Sequence, residues 1–172
     1  MNDRGYIQVY TGNGKGKTTA AIGLAVRAVG AGLRVLFAQF VKGQYYSEHK
    51  TLSKLDNLTI KQFGREGFIH SEPAKEDIEA ARIGYNFILD VFKKEEYDVV
   101  ILDEANIAVF FKLFSEDELL YLMEKKPKNT ELIITGRYAP EKVMEKADLV
   151  TEMKEIKHYY QKNVLARTGI EK

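Results

Sequence analysis

The sequence predicts an α/β fold with a mostly parallel β-sheet and helices on both faces. Three observations lead there. Short β-prone apolar runs alternate with segments of helical period along most of the chain. The first run feeds a glycine-rich turn that opens into an alanine-rich helix. A later run, DVVILD at 98–103, is unbroken and apolar, as strands buried on both faces are, and it ends in acid. The 172 residues fall within the usual size of one domain and are read as a single domain over 1–172.

Residues 6–11 (YIQVYT) alternate and favour a strand, and residues 12–16 form a turn. Residues 17–29 (KTTAAIGLAVRAV) are apolar on most faces, the mark of a buried helix, which the glycines at 30 and 32 end. Residues 34–40 (RVLFAQF) form a second buried strand and 58–62 a short third one. The clearest amphipathic helix covers 76–92, with Ile78, Ala81, Tyr85, Ile88 and Phe92 at helical spacing. Beyond the strand at 98–103, residues 115–125 are helical, and Ser115 with Glu118 can form a capping box. Residues 131–135 (ELIIT) make another core strand, 140–146 a short helix with proline near its first turn, and 149–152 a last strand. Right-handed crossovers place the strand C-termini along one sheet edge, where ligands bind in such folds.

Composition removes several classes of function. The net charge is +1, from 26 Lys and Arg against 25 Asp and Glu, so no global field draws in nucleic acid or an anionic membrane. There is no cysteine, which excludes disulfides, thiolate metal sites, iron–sulfur clusters and cysteine nucleophiles. Residues 1–5 carry no apolar signal-peptide core, and no run approaches the roughly 20 apolar residues of a membrane span. The expectation is a cytoplasmic protein with no nucleic-acid or membrane partner.

The segment TGNGKGKTT at 11–19 follows a strand and opens a helix, the context that makes a phosphate-binding P-loop credible. Its glycines permit backbone dihedrals closed to other residues and let amides turn inward; with the helix N-terminus they form an anion site. Lys17 can reach phosphate oxygens, and Thr18 can offer a hydroxyl to Mg²⁺. The common pattern G-x-x-x-x-G-K-[ST] needs glycine five residues before Gly16, where Thr11 stands, so the loop is one residue tighter. The bland alternative is a flexible glycine turn. The run at 98–103 continues into Glu104 and so brings two carboxylates to the same sheet edge. Such a pair can bind Mg²⁺ directly or through water, with Glu104 expected in the more direct contact and Asp103 behind it. An acid after a strand is otherwise often a helix cap or a solvated residue.

Several blocks together resemble the P-loop type of ATP:corrinoid adenosyltransferase, also called cob(I)alamin adenosyltransferase. They are the loop at 12–19 with AAIGLAVRAVGAG after it, QFVKG at 39–43, GF at 67–68, LDE at 102–104, ITGR at 134–137 and the segment 164–171 ending in TGIE. They occur in the family's order and run from about residue 6 to the C-terminus. The loop alone is unspecific, but the combination is not.

The resemblance implies a RecA-like P-loop NTPase fold, usually homodimeric. It also implies transfer of the 5′-deoxyadenosyl group of ATP to the Co(I) of a reduced corrinoid, in cobalamin biosynthesis or salvage. A Co–C bond forms and triphosphate leaves intact. Family members hold ATP in reversed orientation, and the short loop looks like the counterpart of that arrangement. Lys17, Thr18 and Glu104 are then the catalytic candidates, and Thr18, Glu104 and Asp103 the candidates for holding Mg²⁺ (or Mn²⁺). Gly12, Asn13, Gly14, Lys15, Gly16, Lys17, Thr18 and Thr19 would cradle the nucleotide. Arg137 is a further phosphate or nucleotide contact, or else a surface arginine. Phe68 matches an aromatic of the pocket that keeps the corrinoid's lower face dry, or else is ordinary core. His70 stands where many members carry tryptophan, and either stacks or ligates cobalt. His158 matches a histidine near the nucleotide, or else is a surface histidine. The reductant is expected to be an external electron donor such as a flavoprotein, since the chain has no cysteine and no flavin motif. Some members cover the corrinoid with an N-terminal helix, but only five residues precede the first strand here. Either that cap is absent or another segment replaces it, and the loops at 42–46 and 64–71 are candidates for a lid.

Three other functions fit parts of the pattern. A kinase or ATPase acting on the γ-phosphate would use the same loop and acids but release ADP. A RecA-like module on single-stranded nucleic acid would need a basic stripe with stacking aromatics, which scattered lysines do not supply. A non-catalytic ATP- and corrinoid-binding subunit would carry nearly the same residues as the enzyme.

Overall fold

A computed structural model describes residues 4–67, 69 and 72–171. Its strands are β1 (Ile7–Thr11), β2 (Val35–Phe40), β3 (Leu58–Phe63), β4 (Val99–Asp103), β5 (Glu131–Thr135) and β6 (Leu149–Glu152). Its helices are α1 (Lys17–Gly30), α2 (Ser47–Leu52), α3 (Lys75–Lys94), α4 (Ala105–Phe110), α5 (Glu116–Lys125) and α6 (Glu141–Lys146), with a 3-10 turn at Tyr159–Lys162. All strand pairings are parallel, in the order β3-β2-β4-β5-β1-β6.

Alternation along each strand sorts the core into two layers. On one face Val35, Phe37, Val99, Ile101 and Ile133 meet Ala21, Ala25 and Ala28 of α1. These alanines recur at helical spacing, and their small side chains let α1 lie close to the sheet. On the other face Leu36, Ala38, Phe40, Val100, Leu102, Leu132 and Ile134 pack against α3, α4, α5 and α6. All six positions of β2 are buried, so a continuous apolar run is what this strand requires. Burying each large side chain of this kind contributes about 1.5–3 kcal/mol.

The strands match the sequence expectation to within one residue at either end. Ser115 and Glu118 do close a capping box: the Glu118 amide donates to Ser115 Oγ at 3.2 Å, and the Ser115 amide to Glu118 Oε2 at 2.8 Å. Helix α3 departs in one respect. Ala81, Tyr85, Ile88 and Phe92 are buried as the periodicity requires, but Ile78 is 37% exposed. In that first turn the buried side chain is Asp77, held by Arg65 at 2.7 Å and by the Ala74 amide at 2.8 Å. Helices α2 and α4 and the 3-10 turn were not anticipated. The first two have only six residues each, too short to show a period.

Parallel pairing brings the C-terminal ends of β1, β2, β4 and β5 to one edge, and each is followed there by a loop or helix start that carries chemistry. The loops after β2 and β3 touch backbone to backbone. A Cβ at Gly43 would lie 2.4 Å from the Arg65 carbonyl carbon, and one at Gly64 2.5 Å from the Lys42 nitrogen.

Gly84 sits inside α3 where a Cβ would come within 2.5 Å of Phe63 Cγ and 2.8 Å of Phe40 Cε1. Elsewhere in a helix Gly→Ala gains up to about 1 kcal/mol. Here overpacking outweighs that gain, and Gly84→Ala is expected to lower unfolding stability by about 1–2 kcal/mol in a denaturant titration. A stabilised variant would contradict this packing.

Candidate active site

The loop between β1 and α1 carries no side-chain cap on the helix, so the first-turn amides of α1 are left to face the loop's concavity. Gly12 has φ 94°, and a Cβ there would be 2.5 Å from the Met153 carbonyl oxygen. Only glycine meets both demands. One expectation is corrected: the Gly14 amide does not turn inward but donates to the Met153 carbonyl at 2.7 Å. The chain just past β6 therefore closes the loop from outside. Lys17 Nζ bends over the concavity and donates to the Gly12 and Gly14 carbonyls, 2.7 Å from each. Burial, and then the charge of Arg137, hold the Lys17 ammonium's pKa below the ordinary lysine value.

Asp103 ends β4 with no exposure to water. Its carboxylate accepts four hydrogen bonds. Thr135 Oγ1 donates to Oδ1 at 2.7 Å and Thr18 Oγ1 at 2.9 Å, while Lys42 Nζ donates to Oδ2 at 2.9 Å and Gln39 Nε2 at 3.1 Å. Because Thr18 gives its proton to Asp103, its oxygen lone pairs turn toward positive charge, and one of them meets Lys42 Nζ at 3.4 Å. Glu104 follows with φ 60°, and its amide donates to Thr135 Oγ1 at 3.1 Å. Val41 has φ 65°, rare for a β-branched residue, and directs Lys42 to the same edge. Such left-handed residues cost about 1–3 kcal/mol each and concentrate at functional sites.

Lys42 Nζ lies 2.9 Å from Asp103 Oδ2, 3.4 Å from Thr18 Oγ1 and 3.6 Å from Glu104 Oε1. Burial alone would lower its pKa, but the two carboxylates outweigh burial and hold it above the ordinary lysine value. Burial would likewise raise Asp103, yet Lys42 and the hydroxyl donors pull it down, so it stays ionised. Glu104 goes the other way, raised first by burial and further by Asp103's charge. The environment thus pushes two adjacent acids apart. The oxygens of Thr18 and Glu104 are of the kind that Mg²⁺ or Mn²⁺ takes, with the four-fold hydrogen-bonded Asp103 behind them, and the seat of Lys42 shows that the pocket accepts positive charge. Among the described residues no group of three or more His, Asp or Glu could hold a metal alone.

Arg137 is exposed just past β5, within electrostatic reach of both Lys17 and Glu104. Asn13, Lys15 and Thr19 are exposed around the loop, and Gly16 is its left-handed last residue. Lys15 turns away from the concavity to the C-terminal segment, 2.8 Å from Glu171 Oε1 and 3.1 Å from Tyr159 Oη. Tyr159 and Arg167 also bond Glu171, and these donors hold its carboxyl far below the usual carboxylate range. His158 makes a local bond, accepting from the Tyr160 amide at 3.0 Å, and precedes the Tyr159 that touches Lys15. Phe68 and His70 lie outside the described residues, as does part of the candidate lid at 64–71.

Sequence reasoning missed Lys42, Gln39 and Thr135 as contributors. All three belong to blocks already singled out, QFVKG and ITGR, and each block ends a strand beside β4 or next to it. Conspicuous polar residues at the ends of buried strands were the available signal.

Lys42→Met leaves Asp103 and Glu104 without their ammonium. Removing one partner of a buried pair costs about 3 kcal/mol or more. Without Lys42, burial and Glu104 raise Asp103 above its unfolded value, so the variant gains stability as pH falls. In the wild type Asp103 is depressed and stays ionised in folded and unfolded chains alike between pH 7.5 and pH 5, so it adds no change of its own over that descent. Thermal unfolding at pH 7.5 and pH 5 is therefore expected to show a smaller gap at the lower pH. An equal gap at both would refute the electrostatic account.

The model of the family described as ATP:corrinoid adenosyltransferase BtuR/CobO/CobP matches residues 3–171. The corrinoid adenosyltransferase of Sinorhizobium sp is 34% identical over 174 residues, covering 99% of this chain and 81% of that protein. That of Escherichia coli K12 is 32% identical over 171 residues, covering 99% and 87%. Among solved structures, the flagellar accessory protein FlaH from Methanocaldococcus jannaschii superposes with a TM-score of 0.58 at 14% identity, over 87% of this chain and 71% of that one. That likeness concerns the RecA-like α/β architecture alone. With the family model matching residues 3–171 and relatives more than 30% identical over nearly its whole length, the chain belongs to the ATP:corrinoid adenosyltransferase family.

Proposed function

We propose that this protein transfers the 5′-deoxyadenosyl group of ATP to the Co(I) centre of a reduced corrinoid and releases inorganic triphosphate. The observation that carries the reading is the meeting of Lys17, Lys42 and Arg137 with Asp103 and Glu104 at one sheet edge. Co(I) supplies an electron pair to C5′, the Co–C bond forms as the C5′–O bond breaks, and the pair from that bond leaves with the triphosphate. No protein nucleophile is needed. The protein's tasks are to hold C5′ against cobalt and to stabilise charge gathering on the leaving group.

Lys17, the first-turn amides of α1 and Arg137 bind the triphosphate. Thr18 and Glu104 would hold Mg²⁺ (or Mn²⁺), with Asp103 orienting Thr18. When bound, the ion neutralises phosphate oxygens. Phe68 and His70 are proposed for the corrinoid's lower face, His158 for the nucleotide's surroundings, and the electron donor is a separate protein. No helix among the described residues is long and apolar enough to cross a membrane.

The protein should convert ATP, Mg²⁺ and chemically reduced corrinoid to a light-sensitive organocobalt product with one triphosphate per adenosyl group. Release of ADP and phosphate instead would favour γ-phosphoryl chemistry and end this reading. Lys17→Ala should keep its fold by circular dichroism and lose about a hundredfold or more in kcat, the scale of losing one donor to a developing anion.

A further inference from the structure

Gln39, fully buried in β2, links Asp103 to a residue far from the phosphate loop. Gln39 Oε1 lies 2.5 Å from His49 Nε2, and His49 is itself only 3% exposed on α2. The ring's other nitrogen, Nδ1, accepts from the Tyr46 amide at 2.7 Å, while the His49 amide donates to the Tyr46 carbonyl at 3.1 Å. This geometry fixes every proton. A backbone N–H can only donate, so Nδ1 is the acceptor and Nε2 carries the hydrogen. Nε2 then donates to Gln39 Oε1, which also faces Gln62 Nε2 at 3.4 Å. With its oxygen so engaged, the amide must turn its NH₂ to Asp103, where Nε2 donates to Oδ2 at 3.1 Å. Reversing the amide would set acceptor against carboxylate and donor against donor.

The relay spans the ends of one loop. Lys42 ties residue 42 to Asp103 directly, and His49 ties Tyr46 to the same carboxylate through Gln39. Tyr45 packs on the His49 ring with centroids 5.1 Å apart, and Lys42 Nζ lies 5.9 Å from the Tyr46 ring centroid.

We propose that His49 and Gln39 are positioning residues that lock the loop between β2 and α2 to the Asp103 carboxylate, so that the loop's placement and the orientation of Thr18 are set together. The proposal rests on the reading of Asp103 as the support of the Mg²⁺·ATP site. Neither residue touches substrate, and both act through Asp103. Loss of such an outer partner typically lowers metal affinity about 10–100-fold.

The test measures Mg²⁺·ATP binding to the whole chain by calorimetry. His49→Leu should weaken it about tenfold, and His49→Gln, which keeps a donor toward Gln39, should recover most of the loss. Gln39→Leu combined with His49→Leu should be no weaker than the worse single variant, because both cut one chain. Leu52→Ala, a buried α2 residue outside the relay, should lower thermal stability and leave binding unchanged. Binding unaffected by His49→Leu while Asp103→Asn weakens it would overturn the relay and leave the site reading standing. Binding unaffected by Asp103→Asn would overturn both. The wild type offers a check that needs no variant. The chain has three histidines, so ring nitrogen-15 resonances can be assigned, and His49 should be protonated on Nε2. Protonation on Nδ1 would reverse the chain and refute it.

Discussion

A carboxylate shut away from water at the end of β4 is the constraint on which the strand-end edge depends. An ionised acid in that position is tolerated only if its lone pairs are met, and Asp103 meets them with donors from α1, β2, β5 and the loop after β2. Each donor fixes its own element relative to β4. Thr18, in the first turn of α1, is placed by the same atom that receives Thr135, so the glycine loop and the end of β5 share one reference point. Two left-handed residues, Val41 and Glu104, flank this knot, and the network of charge-assisted bonds is what holds them there.

A second constraint acts on the phosphate loop from outside. The loop is short, and its shape is completed by backbone from the far end of the chain. Met153 takes the Gly14 amide and crowds Gly12, while Glu171 takes Lys15. A loop with fewer residues has fewer internal contacts with which to hold a strained path, and these distant partners replace them.

Much of this was legible in the residues. Largely apolar runs such as VLFAQF and VVILD announced central parallel strands, and the glycine turn announced the loop between a strand and an alanine-rich helix. The acids after β4 were visible because they interrupt an apolar run. What stayed hidden was set by three-dimensional pairing. Gln39 reads as one polar residue in an apolar strand until the register places it opposite Asp103. Lys42 reads as a loop lysine until Val41 turns it inward. The four positions of β6 are all exposed, so its apolar Leu149 and Val150 announced a strand without revealing that it lies at an edge. Ile78 shows the limit of periodicity, which registers spacing but not that an ion pair from a neighbouring loop claims the first turn.

The placement of β1 has a consequence for how the chain reaches this state. Ile7 pairs with Leu132 and Gln8 with Leu149, so the strand that leads into the phosphate loop has no neighbour until residues more than a hundred positions away have been brought to it. Closing loops of that length is entropically costly, and contacts of such separation slow folding. The pairs among β2, β3 and β4 span shorter stretches and can assemble sooner. The glycine loop that β1 leads into is therefore expected to take its final shape late in folding.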